Sequence, residues 1–178
     1  MARPDRAEAI LAAAQELFVA RGFRATTMEA IARAAGVAKP TLYARFPDKE
    51  TLLRVIGERV VSQARDSFAA ALREPGDPVE RARSALRTKY RAMEALLGDS
   101  PHALELHAEF ARIAPETITD LHRLAQENLT ILLTEAGVSD PAERAEVVLA
   151  AVDGLRERIA DQEKLVRLVD FTVAKLLA

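Results

Sequence analysis

Apolar residues recur every three or four positions along most of the chain, which is the spacing of an amphipathic α-helix. No stretch alternates apolar and polar side chains for long enough to predict a β-strand. Proline suits the first turn of a helix and glycine suits its end, so these residues mark the boundaries. The pattern predicts nine helices and no sheet, over residues 4–21, 27–34, 39–45, 48–73, 78–97, 101–113, 115–136, 141–160 and 163–177.

The predicted helices change in length near residue 48, where short helices give way to long ones. We therefore predict an all-α fold with two domains, a small one over residues 1–47 and a larger one over residues 48–178. Asp77, Ser100 and Asp140 each precede a proline and are predicted to cap a helix with a side-chain oxygen.

Residues 22–53 contain two short predicted helices joined by a glycine turn. Gly36 supplies the turn with a residue that tolerates positive φ, and Thr26 or Thr27 is placed to cap the first helix. On the second helix, apolar residues fall on one side and polar residues on the others. This arrangement is typical of a helix-turn-helix, whose second helix fits the major groove of B-DNA.

Charge is distributed unevenly along the chain, although the net charge is only −2. Residues 33–54 carry five basic and two acidic side chains, whereas residues 55–178 carry 16 basic and 21 acidic ones. A short basic segment followed by an acidic remainder favours a polyanion-binding N-terminal segment attached to an acidic domain.

The composite motif resembles the N-terminal domain of the tetracycline-repressor (TetR/AcrR) family of bacterial transcriptional regulators. The resemblance covers roughly residues 6–55 and rests on Gly22-Phe23, Thr26-Thr27, Ile31-Ala32, Ala35-Gly36-Val37, Thr41-Leu42-Tyr43, Phe46, Lys49-Glu50 and Leu52-Leu53. It implies an N-terminal DNA-binding domain of three helices, followed by a larger helical bundle that dimerises and binds an effector.

The resemblance also implies the DNA contacts. Phosphate contacts fall on Thr27, Thr41, Tyr43 and Lys49, and residues near base edges are Lys39, Pro40 and Ala44. Arg45 stands where a His is common and gives a permanently charged phosphate contact. Ala38 stands where many relatives have Ser, so a side-chain cap is absent, and Pro40 partly compensates by removing one unsatisfied N–H. Glu29 is expected either to cap or to read a cytosine amino group.

Two apolar stripes at helical spacing follow the last two predicted helices. We predict that they form a homodimer interface as a four-helix bundle, built from Val148, Ala151, Val152, Leu155, Leu168 and Thr172. The same stripes could instead pack only inside one protomer.

Aromatic, Met and His side chains lie among aliphatic residues between positions 65 and 133. They predict a pocket for a small apolar effector, lined by Tyr90, Met93, His107, Phe110 and His122. A plain hydrophobic core is the alternative interpretation. The spacing of the three histidines matches no familiar zinc motif and the chain has no cysteine, so neither a metal nor another cofactor is expected.

Several classes of protein are disfavoured by the sequence. The longest charge-free run has seven residues, far short of the roughly 20 needed to span a membrane. The chain carries no glycine-rich phosphate loop and no nucleophile motif, so it is not expected to be an enzyme. We predict a cytoplasmic homodimeric repressor that an effector releases from a palindromic double-stranded DNA operator. The main alternative is a helical ligand-binding or interaction protein without DNA binding, and an all-helical enzyme is a third.

Overall fold

The computed structural model describes residues 5–97, 100–159 and 161–177, and this part of the chain forms nine α-helices and no strand. They are α1 (Arg6–Arg21), α2 (Met28–Ala34), α3 (Lys39–Arg45), α4 (Lys49–Arg73), α5 (Pro78–Leu97), α6 (Ala103–Ile113), α7 (Pro115–Glu135), α8 (Pro141–Arg158) and α9 (Gln162–Leu176). The predicted all-α fold is confirmed, and predicted and observed helix ends differ by at most two residues.

The predicted helix caps had different outcomes. Asp77 caps α5, because its Oδ1 accepts the backbone N–H of Glu80 at 2.9 Å. Ser100 instead caps the turn before α6, accepting the N–H of His102 at 3.1 Å. The prediction for Asp140 is wrong. Its backbone is left-handed (φ 51°, ψ 53°) and its side chain makes no cap hydrogen bond, whereas capping side chains normally extend from a β-region backbone.

The described chain divides into two compact units. Unit 1 contains the described residues up to Arg59 together with Ser100–Pro115. Its interior is formed by side chains of α1 to α4 and α6 that are almost completely buried, among them Ile10, Phe18, Ile31, Leu42, Leu52, Leu106 and Phe110. The functional boundary between residues 47 and 48 stays a prediction.

Unit 2 contains the described residues of Val60–Asp99 and Glu116–Ala178. Within it α9 lies against α5 and α8. Among the side chains that the structure describes, the core of the unit is aliphatic apart from the ring of Phe68, and it includes Leu86, Leu129, Leu132, Leu149, Leu165 and Val169. No helix in the described residues is long and apolar enough to cross a membrane.

Candidate nucleic-acid interface

The first helix of the predicted helix-turn-helix is α2, and Thr27 caps it. The backbone of Thr27 is extended, and its Oγ1 accepts the N–H of Ala30 at 3.2 Å. Thr26 is buried and donates its hydroxyl to the carbonyl oxygen of Gly22 at 2.7 Å, so the two threonines have separate roles. The Thr27 side chain lies on the surface, and its hydroxyl can donate a proton outward while it accepts from Ala30.

The turn between α2 and α3 has the conformation that the sequence predicts. Gly36 adopts φ 66°, in the left-handed region that side chains disfavour. The N–H of Val37 then returns to the carbonyl of Ala32 at 3.0 Å, which closes the end of α2. This closure sets the angle at which the chain enters the next helix.

The recognition helix α3 is anchored on one side and open on the other. Leu42 is completely buried, and Phe46 is buried at the C-terminal end. The exposed side chains are Lys39, Pro40, Tyr43, Ala44 and Arg45, with Thr41 half-buried. Ala38 makes no side-chain cap, as the sequence predicts. The residues predicted to contact DNA on this helix therefore share its solvent-facing side.

Two ion pairs modulate the charge of this surface. Lys39 Nζ lies 3.2 Å from Glu29 Oε1 on α2, and Arg45 Nη1 lies 3.9 Å from Asp5 Oδ1. A hydrogen bond from its own backbone N–H, and then the Lys39 ammonium, lower the pKa of Glu29. Because both pairs are exposed, they contribute little to stability and can exchange for a phosphate.

Lys49, the first residue of α4, does not face solvent freely. Its ammonium donates to the carbonyl oxygens of Phe23, Arg24 and Thr26 at 2.8, 3.3 and 3.2 Å. It also lies 4.5 Å from the centre of the Phe23 ring. The predicted phosphate contact at Lys49 stays untested, but the ammonium has internal partners here.

An ionic cluster that sequence reasoning missed holds α6 against the loop between α1 and α2. Glu105 Oε1 accepts the backbone N–H of Arg24 at 2.9 Å, and Glu109 Oε1 accepts its guanidinium at 3.0 Å. Arg112 bridges Glu109 and Glu50, at 2.8 and 2.7 Å. The Arg112 guanidinium, followed by that of Arg24, lowers the pKa of the Glu109 carboxyl.

The predicted effector pocket stays a prediction, and the structure describes the side chains of three of its five residues. Phe110 is buried in unit 1 against Gly57 of α4, and His107 is half-buried on α6 of the same unit. His122 belongs to unit 2. The side chains of Tyr90 and Met93 lie outside the part of the chain that the structure describes.

His122 lines a groove of about 540 Å³ between α7 and α8. Its neighbours there are Ile118, Thr119, Arg123, Gln126 and Glu146. His122 Nδ1 lies 3.3 Å from Asp153 Oδ2, which orients the ring. Among the described residues, no group of three or more His, Asp or Glu side chains is placed to hold a metal ion.

The predicted dimer residues divide between the core and the surface of unit 2. Val148 and Val152 are both 0% exposed, so they lie behind the outer face of α8. Ala151, Leu155, Leu168 and Thr172 are half-buried. Two large apolar side chains that the prediction omitted stand further out, Val147 at 53% exposure and Phe171 at 62%.

A known protein family matches the part of the chain that contains the helix-turn-helix. Residues 10–56 match the model of the bacterial regulatory proteins of the tetR family. The transcriptional repressor KstR2 of Rhodococcus jostii is 31% identical over 153 residues, covering 82% of this chain and 71% of its own length. The chain belongs to the tetR family of bacterial regulatory proteins.

Two further relatives extend the comparison. The transcriptional activator FasR of Mycolicibacterium smegmatis is 33% identical over 125 residues, which cover 66% of this chain. The chain spans only 57% of the length of FasR. The crystal structure of the TetR family regulator PfmR from Thermus thermophilus superimposes with a TM-score of 0.70 at 25% identity, over 93% of this chain and 97% of PfmR.

Proposed function

We propose that this protein is a homodimeric transcriptional regulator that binds double-stranded DNA through α3. The observation that carries the proposal is the exposed polar face of α3, held in place by the completely buried Leu42. The major groove of B-DNA admits one α-helix. Hydroxyl and cationic side chains beside such a helix bind the phosphates that border the groove. Family membership supports the same function.

The proposed contacts are of two kinds. Thr27, Thr41, Tyr43 and Arg45 bind phosphates, which fixes the register of the protein on the duplex. Lys39, Pro40 and Ala44 lie at base edges, where Lys39 exchanges Glu29 for a guanine acceptor. The exposed side chain of Thr27 at the start of α2 adds a phosphate contact from the other helix of the motif.

A salt titration tests this function. Duplexes that bind the chain are selected from a random pool, and the dissociation constant of the best duplex is measured by fluorescence anisotropy. We expect binding to a palindrome at least roughly 1,000-fold tighter than to random duplex, weakening steeply with salt. Absence of a preferred duplex would favour the alternative, a helical interaction protein without DNA binding.

We propose that the dimer forms through the outer face of α8 and α9. Val147 and Phe171 present large apolar side chains there. A Cβ added to Gly154 would meet no atom within 4 Å, which leaves room for a partner helix to approach. Two half-sites on a palindrome require a two-fold symmetric protein, so this interface and DNA recognition support each other.

Repression and release by a small apolar effector complete the proposal. KstR2 is named as a repressor and FasR as an activator, so relatives of both kinds exist. The groove beside His122 is the proposed effector site, because it offers a volume of about 540 Å³ and is lined by His122, one of the predicted effector residues. An effector that binds one arrangement of the two recognition helices more tightly shifts the population toward that arrangement and away from DNA. A reporter gene behind the selected palindrome distinguishes repression from activation.

A further inference from the structure

We propose that Lys49 is a positioning residue for operator binding, acting through the α1–α2 loop rather than by contact with a phosphate. The inference rests on the DNA-binding function proposed above. It departs from the role that the family resemblance implies for this residue, and it follows from where the ammonium group points.

The first step is the stoichiometry of hydrogen bonding. A lysine ammonium has three N–H donors and no acceptor. Three carbonyl oxygens, of Phe23, Arg24 and Thr26, lie within 3.3 Å of Lys49 Nζ. Each donor therefore has a partner inside the protein, and none is left for a phosphate oxygen unless a carbonyl is abandoned.

The second step is electrostatic. Lys49 is the first residue of α4, and the N-terminus of a helix carries a partial positive charge that disfavours a cation. The three carbonyl dipoles and the face of the Phe23 ring, 4.5 Å away, offset this repulsion. The position of the ammonium is thus set by the loop and not by its own helix.

The third step connects the loop to the DNA-facing surface. The three carbonyls belong to residues 23–26, which lead directly into Thr27, the cap of α2 and a proposed phosphate contact. Thr26 is buried and tied to Gly22, so the loop is held from inside by Thr26, from α6 by Glu105 and Glu109 at Arg24, and from α4 by Lys49. Loss of the ammonium would leave Glu105 and Glu109 holding Arg24, but it would loosen the end of the loop next to Thr27 and displace Thr27 relative to α3.

Two substitutions separate this role from direct phosphate contact. Lys49→Met removes the charge and keeps the aliphatic stem. Lys49→Arg keeps the charge, but a planar guanidinium cannot direct three donors at carbonyls that converge on one point, although it binds phosphate well. We expect both variants to bind the selected palindrome about tenfold more weakly than wild type at every salt concentration, with the slope of log Kd against log salt changed by less than roughly half a unit.

Arg45→Met is the matched control for the salt slope, because Arg45 is an exposed cation of α3; its loss is expected to reduce the slope by about one unit. Affinities are corrected for the folded fraction of each variant. The proposal is overturned if Lys49→Arg then binds like wild type, or if Lys49→Met reduces the slope by a full unit. A merely structural role would lower the melting temperature and leave the affinity of the folded fraction unchanged.

Acetylation of the wild-type chain tests the same geometry without any variant. Lysines are modified with acetic anhydride at limiting reagent, and the extent at Lys49 and Lys39 is read by mass spectrometry, with and without the duplex. We expect Lys49 to react several-fold more slowly than Lys39 in free protein, with no further protection by DNA. Equal reactivity in free protein, with protection of Lys49 by DNA, would overturn the proposal. If wild type binds no preferred duplex, the function proposed above fails, while slow acetylation still supports the internal position of Lys49.

Discussion

A substitution at Gly57 tests whether α4 and α6 pack as closely as the structure shows. A Cβ added at Gly57 would lie 2.2, 2.5 and 2.6 Å from three carbon atoms of the Phe110 ring. Ordinary carbon–carbon contacts are about 3.5–4.0 Å, so the ring or one of the helices must move by more than about 1 Å. Phe110 is buried, which limits how far the ring can give way.

Two effects of opposite sign compete in Gly57→Ala. Alanine in a helix interior is favoured over glycine by about 1 kcal/mol. Overpacking of a buried contact costs about 1–3 kcal/mol, and three ring atoms under 3 Å place this site near the upper figure. We expect the variant to lose about 2 kcal/mol of unfolding free energy.

Urea denaturation at fixed protomer concentration, followed by circular dichroism, measures the effect. In a Phe110→Ala background the clash is absent and the helix preference remains, so Gly57→Ala should then stabilise by up to about 1 kcal/mol. This reversal of sign is the signature of direct contact. A Gly57→Ala protein that is more stable than wild type would refute the packing of Phe110 on Gly57.

Three other predictions follow from the described contacts. The pKa of Glu109 is lowered in the folded state, so the stability that this carboxylate contributes is present above its usual pKa of 4.5 and is lost as pH falls through the folded value. The urea midpoint of Glu109→Gln should therefore fall less between pH 5 and pH 3 than that of wild type, and an unaltered pH profile would contradict the ionic cluster. Phe171→Glu places a charge on the proposed interface and should give a folded monomer in sedimentation velocity, whereas Val152→Asp buries a charge in the core and should unfold unit 2. A dimer of Phe171→Glu would show that the interface lies on another surface. His122→Phe should raise the effector concentration for half-release about tenfold and leave operator affinity unchanged, and unaltered release would exclude the groove.

The local features of this fold are readable from the sequence. Pro78, Pro115 and Pro141 stand at the first residue of their helices, as predicted, since proline needs no N–H partner there. Pro101 is an exception, because the helix predicted from residue 101 begins at Ala103. Gly36 takes the positive φ that its place in the turn requires. Apolar and polar positions of α3 likewise predict which side is anchored by Leu42 and which is exposed. These features depend on neighbours within one or two helical turns.

Contacts between residues distant in sequence could not be predicted in the same way. Lys49 bonds to carbonyls more than 20 positions earlier, and Phe110 packs on a glycine 53 positions before it. The sequence predicts Phe110 either as a pocket residue or as core, and only the structure shows that it is buried against Gly57. Val148 and Val147 are adjacent members of one apolar run, and only the packing of α8 shows that one is core and the other surface.

The central claim is that α3 reads DNA from the major groove, and methylation interference tests it most directly. Dimethyl sulfate modifies guanine N7, an acceptor exposed only in that groove. On the selected palindrome we predict that methylation blocks binding at guanines in two clusters, separated centre to centre by about one helical turn or a multiple of it. Binding that persists when every guanine N7 in the palindrome is methylated would contradict recognition by α3.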